Sequence, residues 1–302
     1  MKKNIVIIIL IILLSPVISK TIFTRWGSPG SDYGEFNGPR GISVDIFKNI
    51  YVVDQLNNRI QKFDVNGNFI SCWGNKGTGK GEFNLPEGIT ADLEQNIYVT
   101  DGWNNRIQKF DSNGTFITKW GGAGSAGGQM NLPSGIAVDM AGYVYMCDRN
   151  NHRIQKFNSS GKFITAWGGK GSGIKQFDSP AGIAVYQSNY VYVADSFNNR
   201  IQKFDSNGNF LKKWGTSCTD PGQFNSPSNI ALDDISNVYV VDQNNTIIQK
   251  FDSEGRYVKT WAAGTDFAYL SISQICGIAL DVDGYIYITD YKKCFVQKFD
   301  QD

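Results

Sequence analysis

The sequence predicts an all-β fold in which a four-stranded antiparallel unit is repeated six times around a ring. Tryptophan recurs at a constant spacing of 47 residues, at Trp26, Trp73, Trp120, Trp167, Trp214 and Trp261. Glycine is abundant at 33 residues, aromatic residues make up 13% of the chain, and no long helical pattern follows residue 20. Because a four-stranded unit that repeats every ~40–50 residues is typical of β-propellers, we expect a six-bladed β-propeller.

Each repeat contains four short segments that have the pattern of strands. In the first copy these segments span residues 39–45, 49–54, 59–64 and 69–74. They are rich in β-branched and aromatic residues and are bounded by Gly, Asn, Asp or Pro. The third segment joins the fourth through Asp-x-Asn-Gly, as at residues 64–67, which is a signal for a tight hairpin.

The order of the segments predicts how the ring closes. The first copy of the outer, tryptophan-containing strand, at residues 22–26, precedes every other strand. The sixth repeat stops at Asp302 without an outer strand of its own. We therefore expect the N-terminal strand to complete the last blade, which protects the inner strands from edge-to-edge association. Six units of 47 residues account for residues 21–302, so residues 20–302 are predicted to form one propeller domain.

The first twenty residues differ in character from the repeats. Lys2 and Lys3 precede an unbroken apolar run at residues 5–14, and Val17 and Ser19 occupy positions −3 and −1 of a cleavage site. This pattern predicts a secretory signal peptide at residues 1–19. An uncleaved membrane anchor is the alternative, since the apolar run can be extended through Ile18. Both interpretations place the propeller outside the cytoplasm.

Composition excludes several classes of function. The net charge is +1, which disfavours a strongly cationic nucleic-acid binder. The chain contains one histidine, which excludes any site that needs two or more imidazoles. None of the five cysteines belongs to a Cys-x-x-Cys pair, which excludes zinc ribbons, RING-type modules and thioredoxin-like motifs.

Two repeated motifs resemble those of NHL-repeat proteins. The loop sequence Gly-Glu-Phe-Asn-Gly-Pro at residues 34–39 recurs at residues 81–86 and 222–227 with small changes. Residues 148–157 contain the Asn-His-Arg core of the NHL motif. The resemblance covers residues 21–302 and implies a six-bladed NHL propeller of an exported type. It does not select a function, because the family includes RNA-binding, protein-binding and enzymatic propellers.

An acid and a base recur around the loop between the second and third strands. Aspartate ends every second strand, and in blades one to four an arginine follows five residues later, at Arg59, Arg106, Arg153 and Arg200. We expect each Asp–Arg pair to close its loop. In blades five and six Ile247 and Phe295 replace the arginine, so Asp242 and Asp290 lose this partner. For these two aspartates we expect solvation or backbone capping, with a binding role as the alternative. The four arginines and two aspartates are the candidate binding residues.

Three other repeated residues are predicted to belong to the scaffold. The six tryptophans that recur every 47 residues, which we call the tryptophan ladder, are each expected to anchor a blade by packing. His152 occupies a position that is asparagine in sister blades, as at Asn58, and is interpreted as repeat consensus rather than a catalytic base. The lysine of the Ile-Gln-Lys-Phe segment, as at Lys62, recurs in every blade and is expected to form a solvated rim.

The cysteines of the sixth blade suggest a disulfide. Cys276 begins the innermost strand and Cys294 lies in the loop between the second and third strands, and both are expected on the same face of the disc. A Cys276–Cys294 disulfide would stabilise the seam of the ring. Pairing of Cys218 with either one and the absence of a disulfide remain open. Cys72 and Cys147 lie within strands and are expected to be buried thiols.

The sequence favours a secreted or surface-displayed binding module that recognises a protein, peptide or glycan through the loops of one propeller face. A metal-dependent enzyme that resembles lyase and lactonase propellers is the alternative, and an RNA-binding NHL propeller is a third candidate. No catalytic residues and no metal ligands are assigned. No cofactor is expected, with a central calcium ion as the open alternative. We expect a monomer with no nucleic-acid partner, and membrane contact only through an uncleaved N-terminal anchor.

Overall fold

The computed structural model describes residues 7–8, 24–262 and 272–301. Within these residues the chain forms six antiparallel sheets, together with three short 3-10 turns at Gly102–Asn104, Arg149–Asn151 and Ser196–Asn198. The innermost strand of each sheet contacts the innermost strand of the next, and that of the sixth sheet contacts that of the first. The sheets are therefore the blades of a closed six-bladed β-propeller, as the sequence predicts.

The first three blades follow the chain from the axis outward. Blade one consists of β3 (Pro39–Val44), β4 (Ile50–Asp54), β5 (Arg59–Phe63) and β6 (Phe69–Trp73). Blade two consists of β7 (Pro86–Ala91), β8 (Ile97–Asp101), β9 (Arg106–Phe110) and β10 (Phe116–Gly121). Blade three consists of β11 (Pro133–Val138), β12 (Val144–Asp148), β13 (Arg153–Phe157) and β14 (Phe163–Gly168).

The remaining blades repeat this order. Blade four consists of β15 (Pro180–Tyr186), β16 (Tyr190–Asp195), β17 (Arg200–Asp205) and β18 (Phe210–Trp214). Blade five consists of β19 (Pro227–Leu232), β20 (Val238–Asp242), β21 (Ile247–Phe251) and β22 (Tyr257–Ala262). Blade six consists of β23 (Ile275–Leu280), β24 (Ile286–Asp290), β25 (Phe295–Phe299) and β2 (Thr24–Trp26).

The N-terminal strand closes the ring. Strand β2 pairs antiparallel with β25, and its Trp26 lies opposite Val296. The prediction that the N-terminal strand completes the last blade is therefore confirmed. Strand β1 (Ile7–Ile8) pairs with the outer side of β2. The rest of the predicted signal segment, including Lys2, Lys3 and the cleavage site, lies outside the described residues.

The hydrophobic core lies between neighbouring blades. At the boundary between blades one and two, Tyr51, Ile60, Phe83 and Phe110 are fully buried. Trp73 meets Tyr51 edge to face at 6.3 Å between ring centroids and Phe110 at 5.9 Å. The packing role expected for the tryptophan ladder is confirmed. No helix among the described residues has the length and apolar character needed to cross a membrane.

The two faces of the disc carry different loops. We call upper the face that carries the loops between blades and the loops between the second and third strands, and lower the face that carries the other turns. The repeated lysines do not form the solvated rim that the sequence predicted. Lys62 is buried, lies 5.3 Å from the Tyr51 ring centroid and donates to the Ser112 carbonyl of the next blade at 3.0 Å. Burial lowers the pKa of Lys62. This prediction was wrong because the side chain extends onto a neighbouring blade.

Candidate binding site

The four repeated Asp–Arg pairs form and close their own loops. Arg59 donates from Nε to Asp54 Oδ2 at 2.7 Å, and the pairs in blades two, three and four have the same 2.7 Å separation. Three of the four remaining guanidinium N–H groups of Arg59 donate to the carbonyls of Ser31, Asp32 and Glu35 in the loop between blades. Because each arginine is engaged within the scaffold, Arg59, Arg106, Arg153 and Arg200 are not placed at a ligand-binding surface.

The two aspartates without an arginine are also engaged internally. Asp242 is fully buried and accepts from Asn225 N at 2.8 Å and Asn245 Nδ2 at 2.8 Å. Burial raises the pKa of Asp242, although these hydrogen bonds oppose the shift. Asp290 is fully buried and accepts from Ser273 Oγ at 2.8 Å and from the backbone N–H groups of Lys292 and Lys293. These contacts are backbone capping, and they leave neither carboxylate exposed for a partner.

His152 has the role of its sister asparagines. It adopts a left-handed conformation with φ of 53°, the same value as Asn58 and Asn105. Its Nδ1 accepts from Ser179 N at 3.2 Å, just as Asn58 Oδ1 accepts from Leu85 N at 2.9 Å. The imidazole is therefore a structural contact between blades.

The disulfide predicted between Cys276 and Cys294 is absent. All five cysteines lie among the described residues, and all are free. Cys276 accepts from Gln243 Nε2 at 3.3 Å, whereas Cys294 packs with Trp26 and Phe36 at the seam between blades six and one. The second strand of the blade, β24, separates the two cysteines. Two strand spacings amount to about 10 Å, which exceeds the roughly 7 Å limit between disulfide-linked Cα atoms. Sharing a face does not place the two residues at the same distance from the axis.

A cavity of about 370 Å³ opens at the centre of the upper face, and we call it the upper cavity. Its floor is formed by the residue that follows the first position of each inner strand. This ring consists of Arg40, Glu87, Ser134, Ala181, Ser228 and Cys276. This position of the repeat is thus occupied by five residue types in six blades, whereas the Asp and Trp positions described above are the same in every blade.

Three charged side chains lie together on one side of the upper cavity. Arg149 directs both terminal nitrogens at the Glu87 carboxylate, with Nη1 at 3.2 Å from Oε1 and Nη2 in contact with Oε2. Arg40 Nη2 lies 3.7 Å from the same Oε2. Two guanidinium groups therefore share one carboxylate, which leaves this side of the cavity with one net positive charge.

Uncharged polar groups line the other side of the cavity. The Ser228 hydroxyl is buried and has no hydrogen-bond partner among the described residues. The Ser196 and Ser226 hydroxyls lie 3.0 Å apart. Asn229 stands where the other five blades have glycine and donates to the Cys276 carbonyl at 3.3 Å. This residue also lines a channel of about 320 Å³ between the six inner strands, which follows the propeller axis below the upper cavity.

Two exposed aromatic side chains stand on the upper face, in loops between the second and third strands. Phe197 of blade four lines the cavity and is 67% exposed. Trp103 of blade two is 61% exposed. Sequence reasoning missed both, although Trp103 carried a signal, because it is the seventh tryptophan and lies outside the 47-residue spacing.

The donor set of the upper cavity does not fit a calcium ion. Glu87 is the only carboxylate that lines it, and two arginines already share that group. Asn229 Oδ1 accepts from Ile230 N at 2.8 Å. Across the described residues, no group of three or more His, Cys, Asp or Glu side chains is arranged to hold a metal. Calcium prefers six to eight oxygen ligands, and a guanidinium pair repels a cation.

Family models match three stretches of the chain. A model described as a 6-bladed beta-propeller matches residues 42–121. A model of the NHL repeat matches residues 130–157 and 177–204. One curated protein, protein lin-41 of Caenorhabditis elegans, is 44% identical over 55 residues, which is 18% of this chain and 5% of that protein. The chain therefore spans only a small part of the length of this relative.

Solved structures resemble the whole propeller at low identity. A streptogramin B lyase has a TM-score of 0.67 at 16% identity and covers 93% of this chain and 97% of its own. A gluconolactonase from Xanthomonas campestris has a TM-score of 0.67 at 14% identity, covering 93% and 90%. A protein of unknown function from Bacteroides thetaiotaomicron has a TM-score of 0.70 at 18% identity, covering 92% and 76%. These likenesses show a shared fold.

Proposed function

We propose that this six-bladed β-propeller, in which two stretches match the NHL repeat, is an exported binding module whose ligand occupies the upper cavity. The observation that carries the proposal is the divergence of the cavity lining. Residues that recur in every blade are engaged in the scaffold, whereas the floor of the upper cavity differs in every neighbouring blade. A cleft with a few convergent polar groups is the usual form of a ligand site.

The exposed aromatic residues also favour the upper face as the binding surface. The repeat does not require an aromatic residue at the positions of Trp103 and Phe197, since blade three has Asn150 and blade five has Asn244 there. Large exposed aromatic side chains are enriched at recognition surfaces, where they supply most of the binding energy. A protein, peptide or glycan ligand that covers the upper cavity would bury Phe197 and reach Trp103.

The N-terminal pattern supports export. Lys2, Lys3, the apolar run at residues 5–14 and the Val17-x-Ser19 site favour cleavage near Lys20. Mass spectrometry of the native product tests this part of the proposal. We expect a mature chain that begins near Lys20 or a membrane-bound chain that retains the anchor. A soluble cytoplasmic species that begins at Met1 would contradict export.

An enzymatic role is the second candidate, because the fold is shared with a lyase and a lactonase over most of the chain. A virginiamycin B lyase from Staphylococcus aureus was solved with quinupristin as a catalytically inactive histidine variant. The single histidine here, His152, is held by Ser179 N in a contact between blades. We therefore expect no turnover of a streptogramin B or a lactone, and turnover that survives His152→Asn would establish a different enzyme mechanism.

A binding assay with matched variants tests the proposal. The full chain, produced in a host with an export pathway, is applied to glycan and peptide arrays. We expect Trp103→Ala/Phe197→Ala to weaken binding of any ligand at least tenfold. The control is Phe47→Ala/Met140→Ala on the lower face, whose side chains are 62% and 63% exposed. Equal loss in both double variants, or no loss in the upper-face variant, would overturn the placement of the site.

A further inference from the structure

The two arginines of the upper cavity differ in how many of their hydrogen-bond donors are already engaged by Glu87. Arg149 donates from both terminal nitrogens to the Glu87 carboxylate in a bidentate ion pair, which is a strong geometry for a guanidinium and a carboxylate. Arg40 meets the same carboxylate only at 3.7 Å, and no hydrogen bond holds its guanidinium within the described residues. The Arg40 side chain is 32% exposed, against 10% for Glu87. Arg40 therefore keeps hydrogen-bond donors for a second carboxylate.

The rest of the lining suits a ligand rich in hydroxyl groups. Five serines line the upper cavity, at Ser134, Ser179, Ser196, Ser226 and Ser228, and of these the Ser134 hydroxyl already donates to the Ala181 carbonyl at 3.0 Å. The buried hydroxyl of Ser228 has no partner among the described residues, and a buried polar group without a partner is costly unless a ligand or water supplies one. The amides of Asn150 and Gln243 add both donors and acceptors to the same surface.

The edge of the cavity suits the apolar face of a sugar ring. Phe197 lines the cavity with its ring exposed, and Trp103 stands two blades away on the same face. A pyranose presents hydroxyl groups at its edge and C–H groups on its faces, so it satisfies serines and an aromatic ring together. The cavity volume of about 370 Å³ lies at the lower end of the usual range for small-ligand sites.

We infer that the upper cavity binds a carboxylate-bearing sugar residue of an anionic glycan, with the carboxylate on Arg40 and the hydroxyls on the serines. This inference rests on the proposed binding function and names its ligand class. An acidic peptide would satisfy Arg40 equally well. It would use the serine hydroxyls less well, because an acidic peptide offers carboxylates and amides but few hydroxyl groups.

Calorimetric titration of the full chain with matched sugars tests the inference. The pairs are a galacturonate trimer against a galactose trimer, and sialyllactose against lactose, with a pentaglutamate peptide as a third arm. We expect at least one acidic sugar to bind tenfold or more tightly than its neutral partner. We expect Arg40→Gln to remove that preference and Arg40→Lys to retain part of it. Arg256→Gln, which neutralises an exposed arginine in an outer turn, should change nothing.

The outcomes separate the inference from the proposed function. Equal binding of acidic and neutral sugars, an unchanged affinity in Arg40→Gln, or an equal loss in Arg256→Gln would overturn the role of Arg40. Tighter binding of the glutamate peptide than of any acidic sugar would overturn the glycan assignment and leave a binding module. A chain that binds nothing on the arrays or in these titrations would overturn both. A melting curve of Arg40→Gln that matches the wild type excludes misfolding as the cause of any loss.

Discussion

At the scale of single residues, asparagine recurs at the position of Asn58 because the backbone there is left-handed. The residue before each third strand adopts a left-handed conformation, with φ between 52° and 58° in all six blades. Asparagine is among the few residues that adopt this region readily, and it fills the position in blades one, two and four. Thr246 and Cys294 fill it in blades five and six, so these two blades carry backbone strain that the others avoid.

Replacement of the strained threonine should stabilise the protein. Thr246→Asn is expected to raise the free energy of unfolding by about 1 kcal/mol, because a β-branched residue pays a steric cost at positive φ. The reverse change, Asn199→Thr at φ of 52°, should lower the free energy of unfolding by more than this amount, because it also removes the hydrogen bond from Ser226 N to Asn199 Oδ1 at 2.8 Å. Urea denaturation of both variants checks the pair. Two changes of the same sign would show that φ does not decide the preference here.

The cysteines should differ in reactivity according to their burial. Burial raises the pKa of the Cys276 thiol to about 11, so only about one molecule in a thousand or fewer carries the thiolate near pH 7.5. Cys218 is exposed. Alkylation of the native protein with iodoacetamide, followed by peptide mapping, should label Cys218 first and Cys276 slowly. Recovery of a Cys276–Cys294 disulfide from exported protein would contradict the geometry described above.

At the scale of the elements, the outer strands of all blades except blade five are locked to the next blade by a contact between tryptophan and glycine. A Cβ atom placed on Gly114, in the hairpin turn between β9 and β10, would lie 2.5 Å from the Trp73 ring. The same contact recurs between Gly67 and Trp26, and between Gly161 and Trp120. The glycine of the Asp-x-Asn-Gly turn is therefore required by the neighbouring blade as well as by its positive φ.

Two glycine substitutions separate these requirements. Gly114→Ala and Gly142→Ala change residues with similar φ values of +87° and +81°, but a Cβ at Gly142 meets nothing closer than 3.7 Å. In both variants backbone strain should lower the free energy of unfolding by about 1 kcal/mol or more. In Gly114→Ala overpacking against the tryptophan should lower it by about a further 1–3 kcal/mol. Thermal melts measure the difference. Equal losses of stability in the two variants would mean that the Trp73 side chain moves aside at no energetic cost.

The sequence predicts those elements whose partners recur at fixed spacing. The 47-residue tryptophan period predicts the blade number, and the five-residue spacing predicts the Asp–Arg pairs. Burial of Lys62 was missed although its acceptor Ser112 also recurs, since the same contact joins a lysine to a serine carbonyl 50 residues later in blades two, three and four. The pattern of one blade does not show that its lysine reaches the next blade. The cluster of charged residues in the upper cavity is also not predictable from the sequence, because Arg40, Glu87 and Arg149 are distant in sequence and meet only in the folded ring.

At the scale of the whole molecule, one short strand completes the blade at which the two ends of the chain meet. Strand β2 contains three residues, and Trp26 reaches across the seam to Phe63 of blade one, with the ring centroids 5.9 Å apart. Deletion of residues 21–26 should cost several kcal/mol, because it removes a strand and its buried tryptophan. It should also promote oligomers through the exposed edge of β25.

A circular permutant provides the control for this deletion. Residues 20–26 placed after Asp302 through an Asn-Gly turn would restore the outer strand of blade six without the N-terminal connection. We expect the permutant to melt close to the intact chain and to elute as a monomer in size-exclusion chromatography. A deletion variant that matches the intact chain in both assays would contradict closure by β2.

The central claim is that the repeats build the scaffold and that their departures at the upper cavity build the binding site. The most direct measurement uses the triple variant Arg40→Ser/Glu87→Ser/Arg149→Ser, which installs serine as at Ser134 and Ser196 in sister blades and removes the ionic cluster as a unit. We expect a melting temperature within a few degrees of the wild type and loss of array binding. Unchanged binding, or a chain that no longer folds, would contradict the claim.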